Sequence, residues 1–134
     1  MKYKIVLAED EPDIGRLTMF KLKRAGYEVF WEKDGGAALN SIITERPDLV
    51  ILDIMMPVMD GYEVLEAIRE NPIYHDLPVL LLTAKAQQAD VAKGIELGAN
   101  DYMRKPFQPN KLVERVGQML EKKKGPDKET LPAT

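Results

Sequence analysis

At 134 residues the chain has the length of one domain, enough to bury a substantial core. Hydrophobic residues at 45% and charged residues at 31% are ordinary for a soluble globular protein, and a net charge of -3 argues against bulk binding to nucleic acid or an anionic membrane. Cysteine is absent, no stretch approaches a membrane span, and the apolar run in MKYKIVLAED is shorter than a signal-peptide core, so a soluble cytoplasmic protein without disulfides or thiolate metal sites is expected.

YKIVLAE (3–9) reads as a buried strand. PDIGRLTMFKLKRA (12–25) reads as a helix with Pro12 in its first turn, an apolar face of Ile14, Leu17, Thr18, Phe20, Leu22 and Ala25, and a stop at Gly26. YEVFW (27–31) is a second strand; Gly35 and Gly36 break the chain before a helix over roughly 37–45, which Pro47 ends. DLVILD (48–53) is apolar without alternation, as expected of a central parallel strand covered on both faces. YEVLEAIRE (62–70) is a helix facing Val64, Leu65 and Ile68 inward, closed by Pro72. LPVLLLTA (77–84) is a fourth strand, 87–97 a helix stopped by Gly98, and DYMRK (101–105) a short fifth strand. PNKLVERVGQMLEKK (109–123) is the last helix, with Leu112, Val113, Val116, Met119 and Leu120 on one face. The final GPDKETLPAT has no periodicity and reads as a disordered tail.

Five alternations of strand and helix imply a parallel sheet with helices on both faces. Ligands bind such sheets beyond the carboxyl ends of the strands. Those ends carry Glu9, Asp10 and Glu11 after strand one, Asp53 on strand three, Thr83 on strand four, and Lys105 with Pro106 after strand five. Carboxylates gathered in one cleft repel each other and call for positive charge, from a lysine, a divalent cation or both. The ligand set is oxygen only, which favours Mg²⁺ or Mn²⁺ over zinc or copper. A lysine ammonium and a threonine hydroxyl suit the oxygens of a phosphoryl group, and a carboxylate can be the nucleophile that accepts it.

The ordered set AEDE, LDIMMPVMDG, LLTAK and GANDYMRKPF resembles the receiver domain of two-component response regulators from residue 3 to about 122. The resemblance implies a flavodoxin-like (βα)5 fold with strand order 2-1-3-4-5, a receiver over 1–122 and a tail over 123–134. It implies that Asp53 accepts a phosphoryl group from a sensor histidine kinase or phosphotransfer protein. Mg²⁺ would be held by Asp10, Asp53 and the Met55 carbonyl, with Glu9 acting through water. Lys105, the Thr83 hydroxyl and the Ala84 backbone N–H would meet the phosphoryl oxygens. Thr83 and Tyr102 would form the switch, and Lys105–Pro106 is where the family has a cis peptide. A downstream protein partner is expected on the face made by the fourth helix, fifth strand and fifth helix, with no direct contact to nucleic acid or membrane.

Glu9 stands where aspartate is commonest, Glu32 where a small residue is usual, and Met55 and Lys85 occupy positions that modulate phosphoryl lifetime in the family. KPF and the helix after it resemble receivers joined to winged-helix DNA-binding domains. Val91, Leu97, Asn100 and Lys111 interrupt the charge pattern through which those dimerise, although Asp101 and Arg115 remain, so a monomer or a weak phosphorylation-dependent dimer is expected. A stand-alone receiver is favoured over the N-terminal part of a longer regulator with a DNA-binding or enzymatic output domain.

Other residues have plainer readings. Asp60 caps the third helix, Glu11 is a solvated charge beside the site, and Met55, Met56 and Met59 fill space around a loop. His75 is inert, Lys122, Lys123 and Lys124 complement a helix dipole, and Trp31 is partly buried without a cofactor role. An aspartyl phosphatase would carry its nucleophile in an Asp-x-Asp motif after strand one, and a nucleotide carrier would need a phosphate-cradling loop there. EDEPD is neither, so activity is expected to stop at self-catalysed phosphotransfer and autodephosphorylation.

Overall fold

The computed structural model describes residues 2–84 and 88–124, with backbone alone considered at 88, 89, 123 and 124. Ten elements alternate among the described residues: β1 (Lys4–Ala8), α1 (Pro12–Arg24), β2 (Glu28–Glu32), α2 (Gly35–Glu45), β3 (Leu49–Asp53), α3 (Gly61–Glu70), β4 (Val79–Thr83), α4 (Gln88–Glu96), β5 (Asp101–Arg104) and α5 (Pro109–Lys124). The strands pair in parallel in the order β2-β1-β3-β4-β5, the flavodoxin-like order expected. Helix α5 continues two residues beyond the expected domain limit at 122, while Lys85 and the tail from residue 125 lie outside the described residues.

Successive side chains of a strand point to opposite faces, so each central strand feeds two cores. Ile5, Leu7, Leu49, Ile51, Leu80 and Leu82 meet α1 and α5 through Leu22, Leu112, Val116 and Leu120. Val6, Ala8, Val50, Leu52, Val79 and Leu81 meet α2 and α3 through Ala38, Ile42, Val64, Leu65 and Ile68. Helix α4 lies on this second side, where a Cβ at Gly94 would fall 2.4 Å from Leu81 Cδ1. This double burial explains why β3 and β4 show no polar alternation: all five residues of each are buried.

Helix ends follow local chemistry. The Asp34 carboxylate accepts from the Ala37 N–H at 2.7 Å and starts α2, while Asp60 and Glu63 form a reciprocal capping box at α3, the role expected of Asp60. Pro12 opens α1, and Gly26 leaves it at φ 101°, a conformation that suits glycine. Pro78 cannot donate to the sheet and lies outside β4, yet its carbonyl accepts from Val50 N–H at 2.9 Å.

Two sequence expectations need correction. The buried stripe of α1 is Gly15, Thr18 and Leu22, whereas Leu17 and Phe20 are 47% and 51% exposed and Ala25 is exposed as well. Gly15, Thr18 and Leu22 recur at spacings of three and four, Leu17 and Phe20 fall on the far side of the helix from that stripe, and Ala25 lies just past its end. Gly35 and Gly36 do not precede α2 but form its first turn. A Cβ at Gly35 would lie 1.9 Å from the Met59 carbonyl oxygen, so this glycine is there to let α2 touch the β3–α3 loop.

Candidate functional site

The strand pleat decides which end groups meet. Glu9 continues the alternation of Ile5 and Leu7, and Asp53 that of Leu49 and Ile51, so both carboxylates arrive on the α1/α5 side of the sheet. Both are buried, at 0% and 3% exposure. Lys105 comes from the turn after β5, where its N–H donates to the Thr83 carbonyl at 2.7 Å and its peptide bond to Pro106 is cis. Its side chain is 8% exposed, and its ammonium donates to Asp53 Oδ2 at 2.9 Å, Glu9 Oε2 at 3.1 Å and Glu11 Oε1 at 3.1 Å. Glu11, with its side chain 58% exposed, is the solvated charge expected beside the site, and it also reaches the Lys105 ammonium. Sequence periodicity could not reveal this, because Glu11 lies past the end of the strand and its direction depends on where Lys105 sits.

One ammonium faces the carboxylates of Glu9, Glu11 and Asp53, with Asp10 beside them. Burial raises the Glu9 carboxyl to about 7, and repulsion from Asp53 adds to the rise; the Glu11 N–H and Lys105 oppose it. Burial alone would lower Lys105, but its hydrogen bonds to Asp53 and Glu9 outweigh that and hold the ammonium above its ordinary range.

Oxygen atoms of Glu9, Asp10 and Asp53 lie within 4.8 Å of one another, a set that could hold a cation. Glu9 Oε1 stands 3.0 Å from the Lys105 nitrogen yet receives no directed hydrogen bond, and it is buried. An under-satisfied buried oxygen, an excess of carboxylate and a purely oxygen donor set fit a hard divalent cation such as Mg²⁺.

The β3–α3 loop forms one wall. Met55 N–H donates to Asp53 Oδ1 at 3.2 Å, Ile54 N–H to the Leu82 carbonyl at 3.0 Å, and Gly61 N–H back to the Ile54 carbonyl at 2.8 Å. The Pro57 carbonyl accepts from both Met59 N–H at 2.8 Å and Gly35 N–H at 3.2 Å, so α2 braces the loop. Between them Val58 sits at φ 71°. Met56 and Met59 pack on the core as expected of filling residues, but Met55 is 72% exposed, because its amide points to Asp53 and its side chain is left in solvent.

Asp10, Met55, Thr83 and Ala84 share the lining of a cleft of about 670 Å³ that extends to Tyr62 and Asp90. Thr83 is buried at the end of β4, 4% exposed, and Ala84 follows it at the surface. Tyr102 on β5 is 40% exposed and stands apart from this lining. Sequence reasoning also passed over Tyr62: its hydroxyl donates to the Asp90 carbonyl at 3.0 Å and its ring lies 4.4 Å from the Lys93 ammonium, tying α3 to α4.

The family described as response regulator receiver domain matches residues 5–117. The alkaline phosphatase synthesis transcriptional regulatory protein PhoP of Bacillus subtilis is 43% identical over 120 residues, covering 90% of this chain and 49% of that protein. The chain thus spans about half the length of this curated relative. Among solved structures, chemotaxis response regulator CheY4 of Vibrio cholerae superposes with a TM-score of 0.84 at 32% identity, covering 89% of this chain and 99% of that one. The beryllofluoride-activated N-terminal receiver domain of Klebsiella pneumoniae RstA gives 0.80 at 35% identity, with 87% and 97% covered. A CheY-like receiver domain protein from Methanospirillum hungatei gives 0.88 at 26% identity, with 95% and 100% covered.

Proposed function

Because this chain belongs to the response regulator receiver family, whose members act in two-component phosphorelay signalling, we propose that Asp53 is its phosphoacceptor. The observation that carries the reading is the Asp53 carboxylate itself, buried at the carboxyl end of β3, 2.9 Å from the Lys105 ammonium and grouped with Glu9 and Asp10.

In this reading a carboxylate oxygen of Asp53 attacks the phosphorus of a phosphohistidine on a sensor kinase or phosphotransfer protein. The P–N bond breaks, and the histidine nitrogen keeps the electron pair and later takes a proton. Asp10, Asp53 and the Met55 carbonyl, with Glu9 through water, would hold Mg²⁺ or Mn²⁺, which would supply positive charge to the transferring group. Lys105 leaves its carboxylate partners to pair with a phosphoryl oxygen, and the Ala84 N–H and Thr83 hydroxyl donate to the others. The chain's own chemistry stops at this transfer and at hydrolysis of its aspartyl phosphate.

Phosphorylation adds roughly -1.5 to -2 charge units and three acceptor oxygens. Thr83 is drawn toward them, and Tyr102 turns inward from its exposed position, shifting the population of the α4–β5–α5 face toward a partner-binding form. The pairing of Arg115 with Asp101 in the same chain at 2.9 Å supports a monomer or only a weak phosphorylation-dependent dimer, since it occupies charges that a dimer would use. No described helix is long and apolar enough to cross a membrane, in keeping with a cytoplasmic role beside a kinase.

The test is Mg²⁺-dependent labelling by acetyl phosphate. Wild type is labelled, Asp53→Asn is not, and undiminished labelling of Asp53→Asn would overturn the assignment.

A further inference from the structure

Trp31 stands at the carboxyl end of β2, outside the groups used above. Its indole N–H donates to the Glu9 carbonyl at 2.8 Å. On the other side of the same residue, Glu9 N–H donates to the Glu32 carbonyl at 3.0 Å. The pairing of β1 with β2 ends at Ala8 and Glu32, so the indole takes over where that ladder stops. The carbonyl it holds belongs to the peptide that joins Glu9 to Asp10, and rotation of that peptide would move both carboxylates.

The ring has a space made for it. A Cβ at Gly15 would fall 2.2 Å from Trp31 Cζ2 and 2.6 Å from its Nε1. Glycine inside a helix is unfavourable by roughly 0.5–1 kcal/mol against alanine, so its presence in α1 needs a packing reason, and the indole supplies one. The Lys33 ammonium, 5.2 Å from the ring centroid, adds a further contact. Gly15 N–H in turn donates to the Glu11 carbonyl at 2.9 Å, so the Glu9–Asp10–Glu11 segment is held between the indole and α1.

We propose that Trp31, seated on Gly15, is a positioning residue that fixes the Glu9–Asp10 peptide so that its carboxylates present one cation site. It touches neither the phosphoryl donor nor the cation and acts through Glu9. The inference rests on the Mg²⁺-binding reading above.

Calorimetric titration of the full chain with Mg²⁺ and with Mn²⁺ tests it, alongside Trp31→Phe, which keeps a ring for Gly15 and loses the N–H. The expected result is Mg²⁺ affinity weaker by about three- to tenfold, because the freed peptide must be ordered on binding, beside a lower thermal midpoint from the lost hydrogen bond. In acetyl phosphate labelling, half-saturation should move to higher Mg²⁺ while the limiting rate is kept. Wild-type affinity in a folded Trp31→Phe overturns the inference and leaves the metal site standing. No binding by wild type overturns the metal site and the inference with it. Should the variant not fold, the wild type still decides: this chain's single tryptophan gives one indole N–H resonance. That resonance should shift with the calorimetric midpoint of Mg²⁺ binding, and an unmoved resonance at saturation overturns the proposal.

Discussion

Lys105 meets Glu9, Glu11 and Asp53 with a single positive charge; the pairs with Glu9 and Asp53 are buried, whereas the exposed Glu11 carboxylate is screened by solvent. Removing one partner of a buried ion pair is costly because the survivors stay desolvated. Val58 poses a different local problem. It is β-branched and sits at φ 71°, where the Cβ crowds the backbone, and only the short Met59 N–H to Pro57 carbonyl bond of 2.8 Å spans it. Strain of this kind is worth on the order of 1–3 kcal/mol, and with 78% of Val58 exposed little packing offsets it. Asparagine tolerates this conformation better. Val58→Asn should therefore raise stability by about 1 kcal/mol, read as a higher urea midpoint with an unchanged slope; a lower midpoint would contradict the strain.

Elements meet at the β3–α3 loop, which is braced by α2 through Gly35 and launched into α3 by Asp60. Asp60 borders the cleft, yet its carboxylate is committed to the Glu63 N–H at 2.9 Å. A capping role predicts that Asp60→Ala lowers stability by about 1 kcal/mol while Mg²⁺ affinity stays at the wild-type value. A large loss of affinity with intact stability would instead make Asp60 a ligand. Helix α4 is set by Gly94 against Leu81 and by Tyr62 against Asp90 and Lys93, contacts from two different elements.

The stability of the whole molecule should carry the imprint of Glu9. Its carboxyl is raised from 4.5 to about 7 by burial and by Asp53, so between those values the folded protein keeps a proton that the unfolded chain has lost. Stability of the metal-free protein then falls as pH rises through that window, by up to about 1.4 kcal/mol per pH unit for one proton, and levels off above it. Thermal melts in a chelator from pH 5 to 8 should show this decline, and Glu9→Gln should flatten it. An equal slope in Glu9→Gln would assign the proton elsewhere. Saturating Mg²⁺ should remove the decline, because a cation held by the ionised folded site leaves no extra proton on the folded protein above pH 4.5.

The sequence by itself determined the order of the elements, the doubly covered central strands and the gathering of Glu9, Asp10, Asp53, Thr83 and Lys105 at one edge. Each of these follows from a local period of hydrophobicity and from the rule that parallel strands share one carboxyl edge. Tertiary structure alone decided that α1 buries Gly15 rather than Leu17, that Gly35 lies inside α2, that Glu11 turns to Lys105, and that Trp31 reaches Glu9. Those four depend on what stands opposite: the indole above Gly15, the Met59 carbonyl above Gly35, the ammonium from beyond β5 beside Glu11, and the open end of β1 beside Trp31. No pattern within a strand or helix encodes a neighbour contributed by a distant part of the chain, and close packing makes that neighbour decisive.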